Sequence, residues 1–251
     1  MAYRFTKDEM VPDGIRRIAE ERLERSLKRL KNKKEQLEAV HDVRKDIKKL
    51  RALLRLVRHE VGDKVYRRDV AALRDAAHRL APARDAKVKL DTFNQLVEHF
   101  QEQLAAKPFP TLRQRLENHF QTENKHFESN EAADGVIQVF EKLYGRAVDW
   151  QPDAKDWAAI APGLERSYRG GRAALLLAQK DRHAETFHEW RKRAKDLWYH
   201  IRLLCPAWPA ILGALSDQLK ELSDCLGDHH DLAVLRDAVN AETTAKSQNE
   251  V

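Results

Sequence analysis

Residues 41–58 read HDVRKDIKKLRALLRLVR. The stretch sets His41 and seven Lys/Arg residues against only Asp42 and Asp46. Advancing about 100° per residue from His41 places Arg44, Lys45, Lys48, Arg51 and Arg55 within roughly 80° of it. Val43, Ile47, Leu50, Leu54 and Val57 gather on the opposite side. An apolar stripe of helical period backed by a cationic stripe is the pattern of an amphipathic helix.

The stretch has a partner. HEWRKRAKDLWYHIRLL begins at His188, and at one constant offset His41 meets His188, Arg44 meets Arg191 and Lys45 meets Lys192. At the same offset Lys48 meets Lys195, Leu50 meets Leu197 and Arg55 meets Arg202. Upstream, Arg22 and Arg25 fall on Arg169 and Arg172. Downstream, after a one-residue shift, LRDAAHRLAPARDAKV falls on LKELSDCLGDHHDLAV, so Arg74 meets Lys220, Arg84 meets His230 and Asp85 meets Asp231. The chain therefore reads as two copies of one unit, divided at 1–128 and 129–251.

Composition agrees with helices. Of 251 residues, 34% are charged and 42% hydrophobic, with only 9 Gly and 8 Pro. Such a mix suits an all-α protein better than a sheet protein with many turns. Periodicity and breakers predict helices over 12–31, 34–61, 64–80, 83–104 and 110–127, with Pro108 and Pro110 interrupting. In the second copy they predict helices over 134–145, 157–179, 181–204, 209–226 and 228–243, with Pro206 and Gly227 as punctuation. WQPDAKD (150–156) reads as a loop, and the tail from 243 is expected to fray.

No apolar run approaches the roughly 18 residues of a membrane span, and MAYRFTKDEM lacks the apolar centre of a secretory signal. Cys205 and Cys225 form no CxxC pair, so a reducing cytoplasm is the expected location. The net charge is +6, but the excess is focused on the two basic helices. A solvated face would explain one of them. Sign, spacing and the leading histidine kept in both copies favour an anionic ligand, because several i,i+4 like-charge pairs each destabilise a helix by about 0.2–0.5 kcal/mol.

The start YRF…GIRRIAEERLERSL, the basic segments HDVRKDIKKLR and FHEWRKRAKDLWY, and the elements APARDAKV and LGDHHDLAVL together resemble the CHAD domain, the conserved histidine α-helical domain. The resemblance runs from about Tyr3 to Asn240 in the family's duplicated order. It implies two helical bundles related by pseudo-twofold symmetry, whose basic helices face a shared groove or pore that binds inorganic polyphosphate. It also implies an association with polyphosphate granules. Carried over by position, the ligand-facing residues are His41, Arg44, Lys48, Lys49 and Arg51, then His188, Arg191, Lys195 and Arg202. Related domains continue the second basic helix with a cation where Trp198 stands here, so the second half is expected to contribute less.

Polyphosphate carries about one charge per phosphate and no bases. Arginine can fork across two of its oxygens while lysine supplies a mobile point charge. Lys45, Arg55 and Lys192 belong to the same stripes, and Arg22, Arg25, Arg74, Arg84, Arg169, Arg172 and Lys220 are further candidates from the repeat. His41 and His188 are expected to touch phosphate, strengthening binding from about pH 8 to 6.

His229, His230 and Asp231 point in different directions on a helix, so a helix start capped by Asp228 is preferred to a metal site. Asp85 and Asp231 read either as partners orienting nearby cations or as caps. A phosphoryl-transfer enzyme would need a carboxylate cluster for Mg²⁺ or a P-loop, and the repeat supplies neither. A single-strand nucleic-acid binder would need stacking platforms, and only Tyr199 lies well inside the stripe. The reading is a non-catalytic polyphosphate binder without metal or cofactor. A nucleic-acid binder and a polyphosphate-processing enzyme are the alternatives.

Overall fold

The computed structural model of the chain describes residues 3–32, 36–104, 109–129 and 132–249. Among them the elements are helices and no strands: α1 (Val11–Lys31), α2 (Gln36–Leu56), α3 (Arg58–Arg79), α4 (Ala81–His99), α5 (Pro110–Ser129), α6 (Ala132–Tyr144), α7 (Ala161–Lys180), α8 (Ala184–Leu204) and α9 (Pro209–Asn249). Short 3-10 turns follow α6 and flank α7 and α8. The protein is all-α. Residue 34, the expected start of the second helix, and Pro108 lie outside the described residues.

The first bundle follows from its apolar spacing. Ile15, Ile18, Leu23 and Leu30 of α1 meet Val43, Ile47, Leu50 and Leu54 of α2, with Leu73 of α3 and Val136, Phe140 and Leu143 of α6 completing the core. Each such side chain contributes about 1.5–3 kcal/mol when withdrawn from water. α6 packs against α1 and α3, so the sequence boundary at 128/129 separates it from the bundle it completes. Pro12 and Asp13 open α1 and Lys28, Arg29 and Lys31 close it, which suits both the free N–H groups and the helix dipole.

α2 ends at Leu56 rather than continuing to 61. Val57 leaves helical geometry, and α3 is itself kinked near its start at Gly62, with φ 77° and ψ 158°, a region open chiefly to glycine. The loop at 151–156 is as expected, and Trp150 before it is fully buried. Its indole Nε1 donates to Asp69 at 2.8 Å.

α8 packs between α7 and α9 and crosses α2. His200, also fully buried, has Nε2 2.7 Å from the Ala52 carbonyl oxygen at this crossing. α7 enters against the end of α2 at Gly163, where an added Cβ would lie 1.8 Å from the Leu56 carbonyl oxygen. Both sides are backbone, so neither can rotate away. Gly163→Ala is expected to destabilise the fold by about 2–3 kcal/mol, read as a lower denaturant midpoint; an unchanged midpoint would mean that α7 and α2 do not meet so closely.

One expected break is absent. The segments 209–226 and 228–243 form the single helix α9, so Asp228 does not cap a helix start. A helical glycine costs roughly 1 kcal/mol but need not end the helix. Arg191 lies over Gly227, where an added Cβ would be in ordinary contact with its Nη2 at 3.4 Å. α9 also runs to Asn249, into the segment expected to fray. The α4–α5 hairpin holds a small separate core, with Leu90, Phe93 and Leu116 packed on Leu235 of α9.

Candidate functional site: a cationic cluster where α2 crosses α8

The apolar face of α2 is locked in the first bundle, which turns its opposite face toward α8. α8 is held in the same way by α7, α9 and the Ala52 contact, so its cations meet those of α2. Lys48 lies within electrostatic reach of Lys195, Arg191, Arg44 and Arg84. His41 faces Lys45, Lys48 and Arg84, and Lys195 faces Arg191 and Lys45. Four helices contribute, because α4 supplies Arg84 and α9 supplies His230, whose ring lies 4.0 Å from that of His188.

Several surface cations elsewhere pair along their own helix. Examples are Arg16 with Glu20, Lys87 with Asp91 and Lys220 with Asp224. Among the described residues, Lys48, Arg51, Arg74, Arg84 and Arg191 form no ion pair with a carboxylate. Arg51 Nε, Arg191 Nε and His188 Nδ1 are buried without a hydrogen-bond partner. An orphaned buried donor costs about 1–3 kcal/mol.

The titrating groups record the crowding. Burial, then Lys195, Arg191, Arg44 and Arg84, pull the Lys48 ammonium down to about 7. Burial and neighbouring cations hold Lys195 below the ordinary lysine range as well. Burial, His230, Lys192 and Arg191 depress His188 to about 4, and burial with Lys45 and Arg84 depresses His41. His188 is therefore neutral across pH 6–8 in the free chain. Lys48, at about 7, titrates within that window as well.

A second patch surrounds Arg51, with Arg55 and Arg74 close by. Here Asp196 of α8 accepts from Arg55 at 2.6 Å. On the other flank Lys49 and Arg202 lie together. At the sequence offset described above, Lys49 corresponds to Asp196 and Arg55 to Arg202. Both flanks thus hold an ion pair, Arg55 with Asp196 across the two helices on one and Lys49 with Asp46 within α2 on the other.

Trp198, standing where a cation was expected, packs beside Tyr199 at 4.9 Å. Arg202 lies 5.1 Å and Lys195 6.0 Å from its ring centre. The indole thus braces two cations of α8 through ring contacts.

Other candidates lie outside the central cluster. Arg22 is buried 3.7 Å from Asp46, and Arg25 lies 3.3 Å from Asp42. Lys49 also pairs with Asp46, at 3.1 Å, so the α1–α2 seam neutralises these three. Arg169 pairs with Glu165, Lys192 with Glu189 and Lys220 with Asp224. Arg172 is exposed on α7. Asp85 lies 3.9 Å from Arg44, whose Nη1 donates to the Ala77 carbonyl at 2.8 Å. Those contacts orient the guanidinium, in keeping with the orienting reading of Asp85.

His230 was not among the expected residues, although its alignment with Arg84 was the available signal. Among the described residues no group of three or more His, Cys, Asp or Glu could hold a metal ion. No described helix is long and apolar enough to cross a membrane.

The family model described as the CHAD domain matches residues 17–240. No curated protein and no solved structure matches the chain.

Proposed function

The chain belongs to the CHAD domain family, and we propose that it binds inorganic polyphosphate, without turning it over, in the groove between α2 and α8. The observation that carries this reading is the set of partly buried cations that act on Lys48 from several helices, of which Arg84, Arg191 and Lys48 itself form no ion pair with a carboxylate among the described residues. A repeating polyanion suits that set. Its oxygens would satisfy Arg191 and Arg51, and its charge would relieve the repulsion among Lys48, Lys195 and Arg44.

Arg44, Lys48, Arg84, Arg191 and Lys195 would form the central grip, with His41, His188 and His230 donating at its edge. The chain of phosphates would then continue toward Arg51 and Arg74. The α8 side would grip less strongly at its outer flank, where Asp196 neutralises Arg55. The two copies of the repeat would present these cations about a pseudo-twofold axis near Lys48 and Lys195. The same contact would hold the protein on polyphosphate granules.

The test is a salt-dependent titration with polyphosphate of defined length, with single-stranded DNA as competitor and phosphate release followed in Mg²⁺. By analogy with DNA, engaging about six phosphates should weaken binding by on the order of 10³-fold between about 50 and 200 mM salt. Displacement by DNA at equal phosphate concentration would overturn the polyphosphate reading, and steady phosphate release would overturn the non-catalytic one.

Lys48 fixes the pH dependence. A bound polyanion favours the charged amine, so binding takes up a proton above the free-state value of about 7. Affinity should therefore fall by roughly tenfold from about pH 7 to 9, the worth of one charge-assisted hydrogen bond. Stability of the free chain should change oppositely. The unfolded lysine binds more protons between about 7 and 10.4, so the Lys48 contribution makes stability rise with pH there. Lys48→Met should flatten both profiles; a wild-type slope in that variant would assign the titration elsewhere.

A further inference from the structure

Lys48 is distinctive for chemistry as well as charge. Its ammonium makes no hydrogen bond or ion pair among the described residues. Arg44 on the same helix, Arg84 on α4, and Arg191 and Lys195 on α8 surround it. His41 and Lys45 of α2 complete the cationic wall. The carboxylates nearby are occupied or set back: Asp85 lies 3.9 Å from Arg44, and Asp224 and Asp231 of α9 act on Lys195. The side chain is enclosed but not sealed.

We propose that Lys48 is a site of covalent acylation by acyl phosphates, whose phosphate group the surrounding arginines direct. This rests only on the anion-binding part of the function proposed above. Three features combine. Arg191 Nε is a buried donor without a partner, and Arg44 presents a guanidinium oriented by the Ala77 carbonyl. Between them, a phosphate would bring its attached acyl carbon to the amine.

A lysine near 7 is also about half neutral at neutral pH, whereas an ordinary lysine is neutral in well under ~1% of molecules. A neutral amine in a cationic field is an activated nucleophile.

The step balances without an oxidant or metal. The Nζ lone pair adds to the acyl carbon and forms the C–N bond. The C–O bond to phosphate then breaks, and inorganic phosphate departs with the bonding pair into the arginines. The Nζ proton passes to the departing phosphate or to water, leaving an amide. That product has lost the central positive charge, so acylation would weaken the polyanion site.

The test exposes the full chain to acetyl phosphate or to N-hydroxysuccinimidyl acetate, an acyl donor without phosphate. Site occupancy is followed over time by peptide mass spectrometry. With acetyl phosphate, Lys48 should be modified roughly tenfold or more faster than exposed Lys64 and Lys180. Its rate should saturate and be slowed by pyrophosphate. Arg191→Gln, with helicity checked by circular dichroism, should remove the saturation.

Modification of Lys48 no faster than the exposed lysines, or an equal preference for it with both reagents, overturns the proposal. A chain acylated at Lys48 whose unmodified form fails to bind polyphosphate refutes the earlier reading alone. A chain that binds polyphosphate but leaves Lys48 unmodified refutes this one alone.

Discussion

Replacing Arg44 and Arg191 together by glutamate should abolish measurable polyphosphate binding while leaving the helical circular dichroism spectrum unchanged. The two guanidiniums lie on different helices and both act electrostatically on Lys48. Removing a charge-assisted hydrogen bond costs about 1.5–3 kcal/mol, and charge reversal adds repulsion. The pair should therefore lower affinity by at least roughly 10³-fold.

Stability argues in the same direction. Arg191 is packed over Gly227 with an orphaned Nε, and both arginines sit in a repulsive cationic field. Removing positive charge should leave the free protein as stable as before or more so. Retained affinity in a folded double variant would remove the groove from consideration.

The largest loss of stability is expected at Asp69. Its carboxylate is fully buried and accepts from Arg68 at 2.8 and 2.9 Å and from Trp150 at 2.8 Å. Arg146 lies 3.0 Å away. Asp69→Ala would leave Arg146 and the buried indole N–H of Trp150 without their acceptor, while half-exposed Arg68 would keep only Asp149, at 2.9 Å. Breaking a buried charge network by removing one member costs about 3–5 kcal/mol, a large share of a domain's typical stability of about 5–15 kcal/mol.

Chemical denaturation should show a markedly lower midpoint, and polyphosphate should raise it again by mass action if the groove still forms. A midpoint near wild type would mean that the cluster is dispensable. These two variants separate function from folding: one reverses repelling charges, the other strands charges that were paired.

The helices and their faces were legible in the sequence because burial on one side writes a 3.6-residue period into Val43, Ile47, Leu50 and Leu54. The histidine-led basic stripes could be found because their charges recur at the same spacing in HEWRKRAKDLWYHIRLL. Punctuation was less legible. Gly227 looked like a helix break, yet α9 runs through it, because a single helical glycine costs too little to end a helix held by packing on both sides.

Helix counting also grouped Lys49 with the ligand-facing cations. It could not register that Asp46, one turn earlier, would claim it together with Arg22. His230 was visible only as an alignment with Arg84, since nothing local brings its ring to His188.

From sequence alone, the chain could be read as all-α with two cationic helix faces, because backbone hydrogen bonding and apolar periodicity are local and repeat along the chain. Which cations act together was decided by tertiary structure. The crossing of α2 and α8 sets Lys48 among Lys195, Arg191, Arg44 and Arg84, and couples Arg55 to Asp196. Coulomb energy and desolvation depend on distances through space and on what water is excluded. Neither is written in the spacing of residues along one helix.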